Sequence, residues 1–307
     1  MAFPVTSGHP QYAGNFIPEL WAGKLIESFY DATVLAQISN TEYEGMIKAH
    51  GDTVHIRTTP TLTIRDYTKG MTLQVERPDS TPLELLIDKG KYWQAVSDDV
   101  DKVQSDVNLM DVWSKDAAEQ MKIEIDQDVL TNMLPGISAL NQGATAGAKT
   151  ASFNLGTTGA PLTVTKDGAG GTVSITDLVV DIGTVLDEAN CPESDRYLVL
   201  PAKAVGLIKK SELKDASLSG DGTSILRNGR VGMIDRFTIY MSHNLYTASA
   251  KTNIIAGTKR GLTFASQLTN VETLRAESTF GTLIRGLNVY GYKVVKPEAI
   301  ATAVITF

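Results

Sequence analysis

GDTVHIRTTPTLTIRDY, residues 51–67, alternates with a period of two. Val54, Ile56, Leu62 and Ile64 share one parity; Thr53, His55, Arg57, Thr61, Thr63 and Arg65 share the other. This is the pattern of a half-buried β-strand. Pro60 interrupts it and implies a bulge or an edge position, because proline cannot donate to a ladder. Asp66 to Gly70 reads as a turn, and Met71, Leu73 and Val75 alternate on the way back. Leu83, Leu85 and Ile87 continue the pattern after Pro78 and Pro82. The spacing predicts a long hairpin over 51–90, each arm able to reach ~40 Å at ~3.3 Å per residue. A two-stranded ribbon is marginal by itself in water. Its apolar face must lie either on its own domain or across a neighbouring molecule.

Working outward, residues 106–134 carry the strongest helical pattern. Leu109, Trp113, Ala117, Met121, Ile125 and Val129 step by four, and Val112 and Leu130 widen the stripe. Lys115, Glu119, Lys122 and Glu124 stay on the polar side. Pro135 and Gly136 end the helix. Upstream, Leu20, Trp21, Leu25, Phe29 and Tyr30 predict a short helix over about 18–30, with Pro18 in its first turn. Residues 1–18 are too punctuated by proline and glycine for regular structure. They read as an arm whose Phe3, Tyr12 and Phe16 would pack on something else.

Downstream, residues 136–171 are rich in Gly, Ala, Thr and Ser. They read as a surface insertion with two short strands, near 151–155 and 161–165. A helix begins near Ser174–Thr176, with Asp177 placed as in a capping box and Leu178, Ile182, Val185, Leu186 and Ala189 inward. Tyr197–Leu200 is a buried strand. Pro201–Lys210 is a helix with Ala204, Val205 and Ile208 inward. Residues 218–224 are a loop, Asn228-Gly229 is a turn, and a strand follows through Val231, Met233, Phe237, Ile239 and Met241. Ile254-Ile255 is another short strand, and 271–307 is strand-rich. The fold class is α+β.

The 307 residues, 42% hydrophobic and 21% charged, suit one large domain or two intertwined subdomains. A net charge of −7 with no basic run gives no purchase on nucleic acid. One cysteine, Cys191, excludes an intrachain disulfide and suits a reducing compartment. It reads as a packed or loop thiol. No segment approaches the ~20 apolar residues of a membrane span, and the N-terminus lacks the pattern of a signal peptide. No membrane association and a cytoplasmic site of synthesis are expected.

No motif for catalysis, cofactor or metal emerges. His9, His50, His55 and His243 have no metal-ligand spacing with one another or with Cys191. Asp98, Asp99 and Asp101 could surround a cation in an oxygen-rich loop, but the calcium-loop spacing and its glycine are missing. They read as favourable charge before a helix N-terminus. The glycine-rich stretches 168–171 and 220–224 lack the Gly-Lys-Ser/Thr of a phosphate loop. No catalytic, cofactor-binding or metal residue is therefore assigned, and the chain is expected not to be an enzyme.

The order of elements resembles the HK97-like major capsid proteins of tailed bacteriophages. The stretches that carry the resemblance begin with IPELWAGKLIESFYDATVLAQISNTEYEG, GDTVHIRTTPTLTIRDY and LLIDKGKYWQAVSDDVDKVQSD. NGRVGMIDRFTIYMSHNL and GLNVYGYKVVKPEAIATAVIT complete the set, five segments in the family's order. The resemblance covers most of the chain except about 136–171 and 215–229. It implies an N-terminal arm and short helix over 1–50, an E-loop hairpin over 51–97, and a spine helix of the peripheral domain over 98–135. An insertion over 136–171, an axial domain over 172–278 and strands returning to the peripheral domain over 279–307 would follow.

The resemblance also implies hexamers and pentamers on an icosahedral shell that encloses double-stranded DNA without sequence-specific binding. The hairpin would lie over a neighbour through Arg65, Asp66, Tyr67 and Lys69 at its tip. The arm would reach another neighbour through Phe3, Tyr12 and Phe16, and the loop at 215–229 would point toward the local symmetry axis. The arm begins almost at Met1, so a separate scaffolding protein is expected, with a portal protein and potentially a decoration protein. Some relatives cross-link through a hairpin lysine. Lys69 stands at the tip here, but most relatives do not cross-link, and no cross-link is expected. The shell would assemble as a precursor in the host cytoplasm and expand on DNA packaging, with hairpin and spine helix changing tilt. Two other readings stand beside this one: an encapsulin-like nanocompartment holding protein cargo, and a soluble α+β enzyme or binding protein with a closed apolar pocket.

Overall fold

The structure, a computed structural model, describes residues 33–42, 53–58, 60, 62–80, 82–98, 109–211, 232–276 and 280–307. The expected helix at 18–30, the arm with Phe3, Tyr12 and Phe16, Asp99 and Asp101, and the loop at 215–229 lie outside the described residues.

The centre of the molecule is an eight-stranded mixed sheet. Its order is β5 (Val173–Ser174), β4 (Leu162–Thr165), β13 (Ile300–Thr306), β10 (Lys251–Thr258), β6 (Arg196–Leu200), β8 (Phe237–Met241), β7 (Met233–Ile234), with β9 (Thr247–Ala248) beside β10. Strand β13 runs antiparallel to β10 but parallel to β4, and β6 runs parallel to β8.

Both faces of this sheet are covered, and the side-chain alternation divides its strands between two cores. Leu198, Leu200, Ile254, Ala256, Ala301, Ala303 and Ile305 face one core, with helices α3 (Ile175–Glu188) and α4 (Ala202–Lys210). Tyr197, Val199, Ile255 and Ile300 face the other, with the one-turn helix α1 (Leu35–Ile38) and the C-terminal half of α2 (Leu109–Asn132). Two-sided burial is why residues 197–200 read as an unbroken apolar run rather than an alternating one. Ser174 caps α3, accepting a hydrogen bond from the Thr176 N–H, as the Ser174/Asp177 pair predicts.

The second sheet has three antiparallel strands in the order β11 (Leu262–Arg275), β12 (Gly281–Val294), β3 (Lys89–Asp98). Odd-numbered residues of β3, among them Trp93 and Ala95, turn inward, and even-numbered ones turn outward. The third sheet is the hairpin base, β1 (Thr53–Arg57) paired with β2 (Pro82–Leu86).

Several sequence expectations change. The hairpin ladder is five residues long on each side rather than running through 51–65, and 89–98 belongs to the three-stranded sheet instead of the hairpin. Of the two expectations for Pro60, an edge position fits: it lies just past the end of β1, which pairs on one side only. The strand expected at 151–155 is a single bridge, Ala146 to Phe153. Residues 136–171 are not a surface insertion: Ala146, Leu155, Leu162 and Val164 lie in the core, and β4 joins the central sheet through β13. Small residues lowered the apolar signal there without lowering burial. The strand expected through 233–241 is a tight hairpin, its two turn residues Asp235 and Arg236 both at positive φ. The sequence offered no glycine there to mark the turn.

Two buried polar clusters tie the layers together. Asp126, on the buried side of α2, accepts from the Val34 N–H at 3.1 Å, the Leu35 N–H at 2.9 Å and the Asn244 side-chain amide at 2.8 Å. It thus joins α1, α2 and the segment after β8. Burial pushes its carboxyl pKa up, against the three hydrogen bonds that pull it down. The second cluster centres on Arg196, whose side chain is fully buried. Its guanidinium donates to the carbonyls of Pro192, Gly183 and Cys191 and to Asp187 at 2.6 Å. Asp187 also accepts from Arg236 in the β7–β8 turn at 2.7 Å. Burial pushes the Asp187 carboxyl up, but the hydrogen bonds and charges of Arg236 and Arg196 outweigh it and hold it below the usual carboxylate value.

Asp126→Ala should lower unfolding stability by about 3 kcal/mol, since it strands three buried donors at ~1–3 kcal/mol each. Asp126→Asn, which keeps an acceptor, should cost less; urea titration measures both. The stabilising effect of Asp187 is complete above its unfolded pKa and fades as pH falls through its lowered folded pKa. Asp187→Asn should therefore flatten the fall in melting temperature between about pH 5 and about pH 3.

Candidate intersubunit surface

The hairpin root sits on the body of the molecule. Ile56, Leu85 and Ile87 are buried against Ala265, with Val54, Leu83, Val289 and Val295 around them. Beyond Arg57 and Pro82 the arms continue as extended chain, and side chains carry the pairing. The Thr63 N–H and hydroxyl donate to Glu76 at 3.3 and 3.2 Å, and the Arg65 guanidinium donates to Gln74. At the tip the Met71 N–H donates to the Thr68 carbonyl at 3.1 Å. Gly70, at φ +89°, supplies the left-handed conformation that closes the turn. Each pair lies in the register set by Arg57 and Pro82, so the two faces of the base extend to the tip.

Those two faces differ in chemistry. Thr63, Arg65, Gln74 and Glu76 make one polar, internally hydrogen-bonded face. The register places Leu62, Ile64, Leu73 and Val75 on the other, the face that holds the buried Ile56 and Leu85, with Thr58, Asp79 and Arg77 between the two groups. Ile64 is 92% exposed and Val75 96%, while Ile56 is 5% exposed and Leu85 is fully buried. The apolar side chains of this face are therefore covered at the root and bare near the tip. In a lone subunit the bare part faces water, which is the mark of a surface made to be covered.

The residues proposed from the sequence for the tip are all exposed. The register puts Asp66 on the apolar face, across from Leu73, and Arg65 on the polar one with Gln74. Lys69 lies in the turn and Tyr67 just before it. Leu62, Ile64, Leu73 and Val75 were not singled out as contact residues, although their period-two spacing with no partner in sight carried the signal.

Other apolar side chains are also uncovered. Tyr92 and Val96 of β3 and Leu287 of β12 line the outer face of the three-stranded sheet, beside the Arg285–Glu272 ion pair at 2.8 Å. On α2, Ile125, Val129 and Leu130 are buried, but Val112 and Trp113 in the N-terminal half are each 37% exposed. The helix thus carries its apolar stripe beyond the core of its own subunit.

Cys191 is half-buried, and burial raises its thiol pKa, which keeps it protonated and unreactive near neutrality. His55 lies 3.6 Å from Glu84 across the exposed hairpin base. Among the described residues, no three His, Cys, Asp or Glu side chains converge to hold a metal ion, and no helix is long and apolar enough to cross a membrane.

Comparison with known proteins identifies the family of the chain. The chain is similar to a solved structure from Mycobacterium phage Che8, with 29% identity, a TM-score of 0.76, and coverage of 95% of this chain and 97% of the other. It is also similar in fold to the capsid structure of cyanophage P-SCSP1u, at 16% identity and a TM-score of 0.70, covering 95% and 93% of the two chains. The capsid of a native GTA particle matches at 15% identity and a TM-score of 0.69, covering 96% and 98%. No curated protein sequence matches. The profile of a family described as phage capsid protein matches residues 83–303. The chain belongs to this phage capsid protein family: it is a structural major capsid subunit of the HK97-like α+β fold, which associates with its own copies in the virion shell.

Proposed function

We propose that the chain forms hexamers and pentamers of a closed icosahedral head, and that the hairpin beyond Arg57 is the element by which each subunit grips the next. The observation that carries this reading is the group Leu62, Ile64, Leu73 and Val75, bare on the same hairpin face that Ile56 and Leu85 bury at the root. A grip by a projecting ribbon on a different patch of the next copy is heterologous, and such contacts close into rings when the rotation allows. Arg65, Asp66, Tyr67 and Lys69 at the tip add polar specificity at the rim of that contact. Phe3, Tyr12 and Phe16 anchor the N-terminal arm on a further copy.

In this reading β3, β11, β12 and α2 form the peripheral domain, and the central sheet with α3 and α4 forms the axial domain. The peripheral domain so drawn includes β11, which the partition at 278 assigned to the axial part, and the axial domain includes 136–171 and β13, the latter assigned by that partition to the peripheral part. The role is structural and not catalytic. The shell encloses double-stranded DNA without reading its sequence, in keeping with a net charge of −7. A scaffolding protein and a portal protein assist assembly in the host cytoplasm, and a decoration protein is a further candidate partner. Expansion on packaging tilts the hairpin and α2, both of which carry apolar surface beyond their own core.

Electron microscopy of the purified protein, alone and co-expressed with a scaffolding protein, tests this directly. The parent chain should give capsomer rings or closed shells. Ile64→Asp with Val75→Asp should leave the unfolding stability of the isolated subunit within about 0.5 kcal/mol, since both side chains are solvated there. The same pair should cut shell yield at least tenfold. Shells at parental yield from the double variant would remove the hairpin from the assembly contact.

A further inference from the structure

Strand β3 leaves the three-stranded sheet at its start. Its last partner on β12 is Tyr290, paired with Lys89, and the chain before Lys89 crosses the face of β12 on its way to β2. The crossing point is Gly291. A Cβ at Gly291 would overlap the carbonyl oxygen of Leu86, and would lie 2.9 Å from the carbonyl carbon of Leu86 and 3.0 Å from the Cα of Ile87. All three atoms are backbone, so no side chain can rotate away. The φ of Gly291 is not in the left-handed region. Glycine is present here for close approach of another chain segment and not for a turn.

In register beside Gly291 on β11 stands Ala265, fully buried under the hairpin root with Ile56, Leu85 and Ile87. The two residues make a saddle of minimal side chains in which the root rests. Two residues, Ile87 and Asp88, separate β2 from β3. The root therefore has little slack with which to absorb a change in the saddle.

We propose that Gly291 and Ala265 are positioning residues that set the angle at which the hairpin leaves the body of the subunit. A methyl group at Gly291 must lift Leu86 by ~1 Å to restore an ordinary carbon–oxygen contact. The root spans ~15 Å and the arm beyond it ~40 Å at ~3.3 Å per residue, so that lift becomes ~3 Å at the tip. A shell subunit that grips its neighbour by the tip would thus have its reach dictated by two buried small residues far from the contact. The consequence for assembly rests on the function proposed above; the angle itself does not.

The test uses unassembled full-length subunits carrying Cys191→Ser, with nitroxide labels at Lys69→Cys on the tip and Gln94→Cys on the outer face of β3. Pulsed electron spin resonance reads the distance between them. Gly291→Ala is expected to shift the mean distance by ~3 Å while circular dichroism stays as in the parent. Ala265→Val, which adds two methyl groups on the other strand of the saddle, should shift it as well, and decides the matter if Gly291→Ala does not fold. An unchanged distance distribution in the folded variants would overturn the proposal. A shifted distance with shells of parental size and yield would uphold the saddle and count instead against the hairpin as the gripping element.

Discussion

The structure depends on burying one sheet from both sides. Strands β6, β10 and β13 lie in the middle of the eight-stranded sheet and present residues to two separate cores. Covering only one face would leave either Tyr197, Val199 and Ile255 or Leu198, Leu200 and Ile254 in water. The chain therefore has to supply α3 and α4 on one side, and α1, α2 and the three-stranded sheet on the other. The charged residues of these layers enter with partners: Asp126 holds two backbone N–H groups and an amide, and Arg196 is surrounded by carbonyl oxygens and Asp187. Each would be costly alone in the interior and is tolerable because several hydrogen bonds replace those to water.

A subunit built for a shell must do the opposite at its edges. The hairpin is the same β-ribbon at root and tip, yet its apolar face is covered in one place and bare in the other. The polar face needs no partner, because Thr63–Glu76 and Arg65–Gln74 satisfy one another. The bare apolar side chains have no such recourse within the subunit. Helix α2 repeats the arrangement, with its C-terminal half in the core and Trp113 half open. Surface that is unfavourable in a monomer becomes the driving force for association once a second copy covers it.

The legibility of these features follows from their physical range. Period-two alternation over 53–57, the four-residue steps of 109–132 and the Ser174 cap are local, and β1, α2 and α3 stand where they place them. The features that were missed are tertiary. Residues 89–98 alternate only weakly, because Tyr92 and Val96 point out while Lys91 and Ser97 point in. That strand exists because β12 offers it a complete ladder. Residues 136–171 looked like a loop because alanine, glycine and threonine carry little hydrophobic signal, yet Leu155, Leu162 and Val164 bury completely or nearly so. The turn at Asp235–Arg236 adopts positive φ without glycine, held in part by the Arg236–Asp187 ion pair.

By itself the sequence determined the α+β class, the long hairpin with one apolar face, the long helix, the buried strand at 197–200 and the family resemblance. All of these are written in spacing and side-chain type within single segments. Tertiary structure alone decided which strands share a sheet, that 136–171 belongs to the core, and where the hairpin stops being covered. It also decided that Gly291 and Ala265 lie under the hairpin root. These are contacts between residues far apart in the chain, and a period carries no information about which distant segment will fill the space beside it.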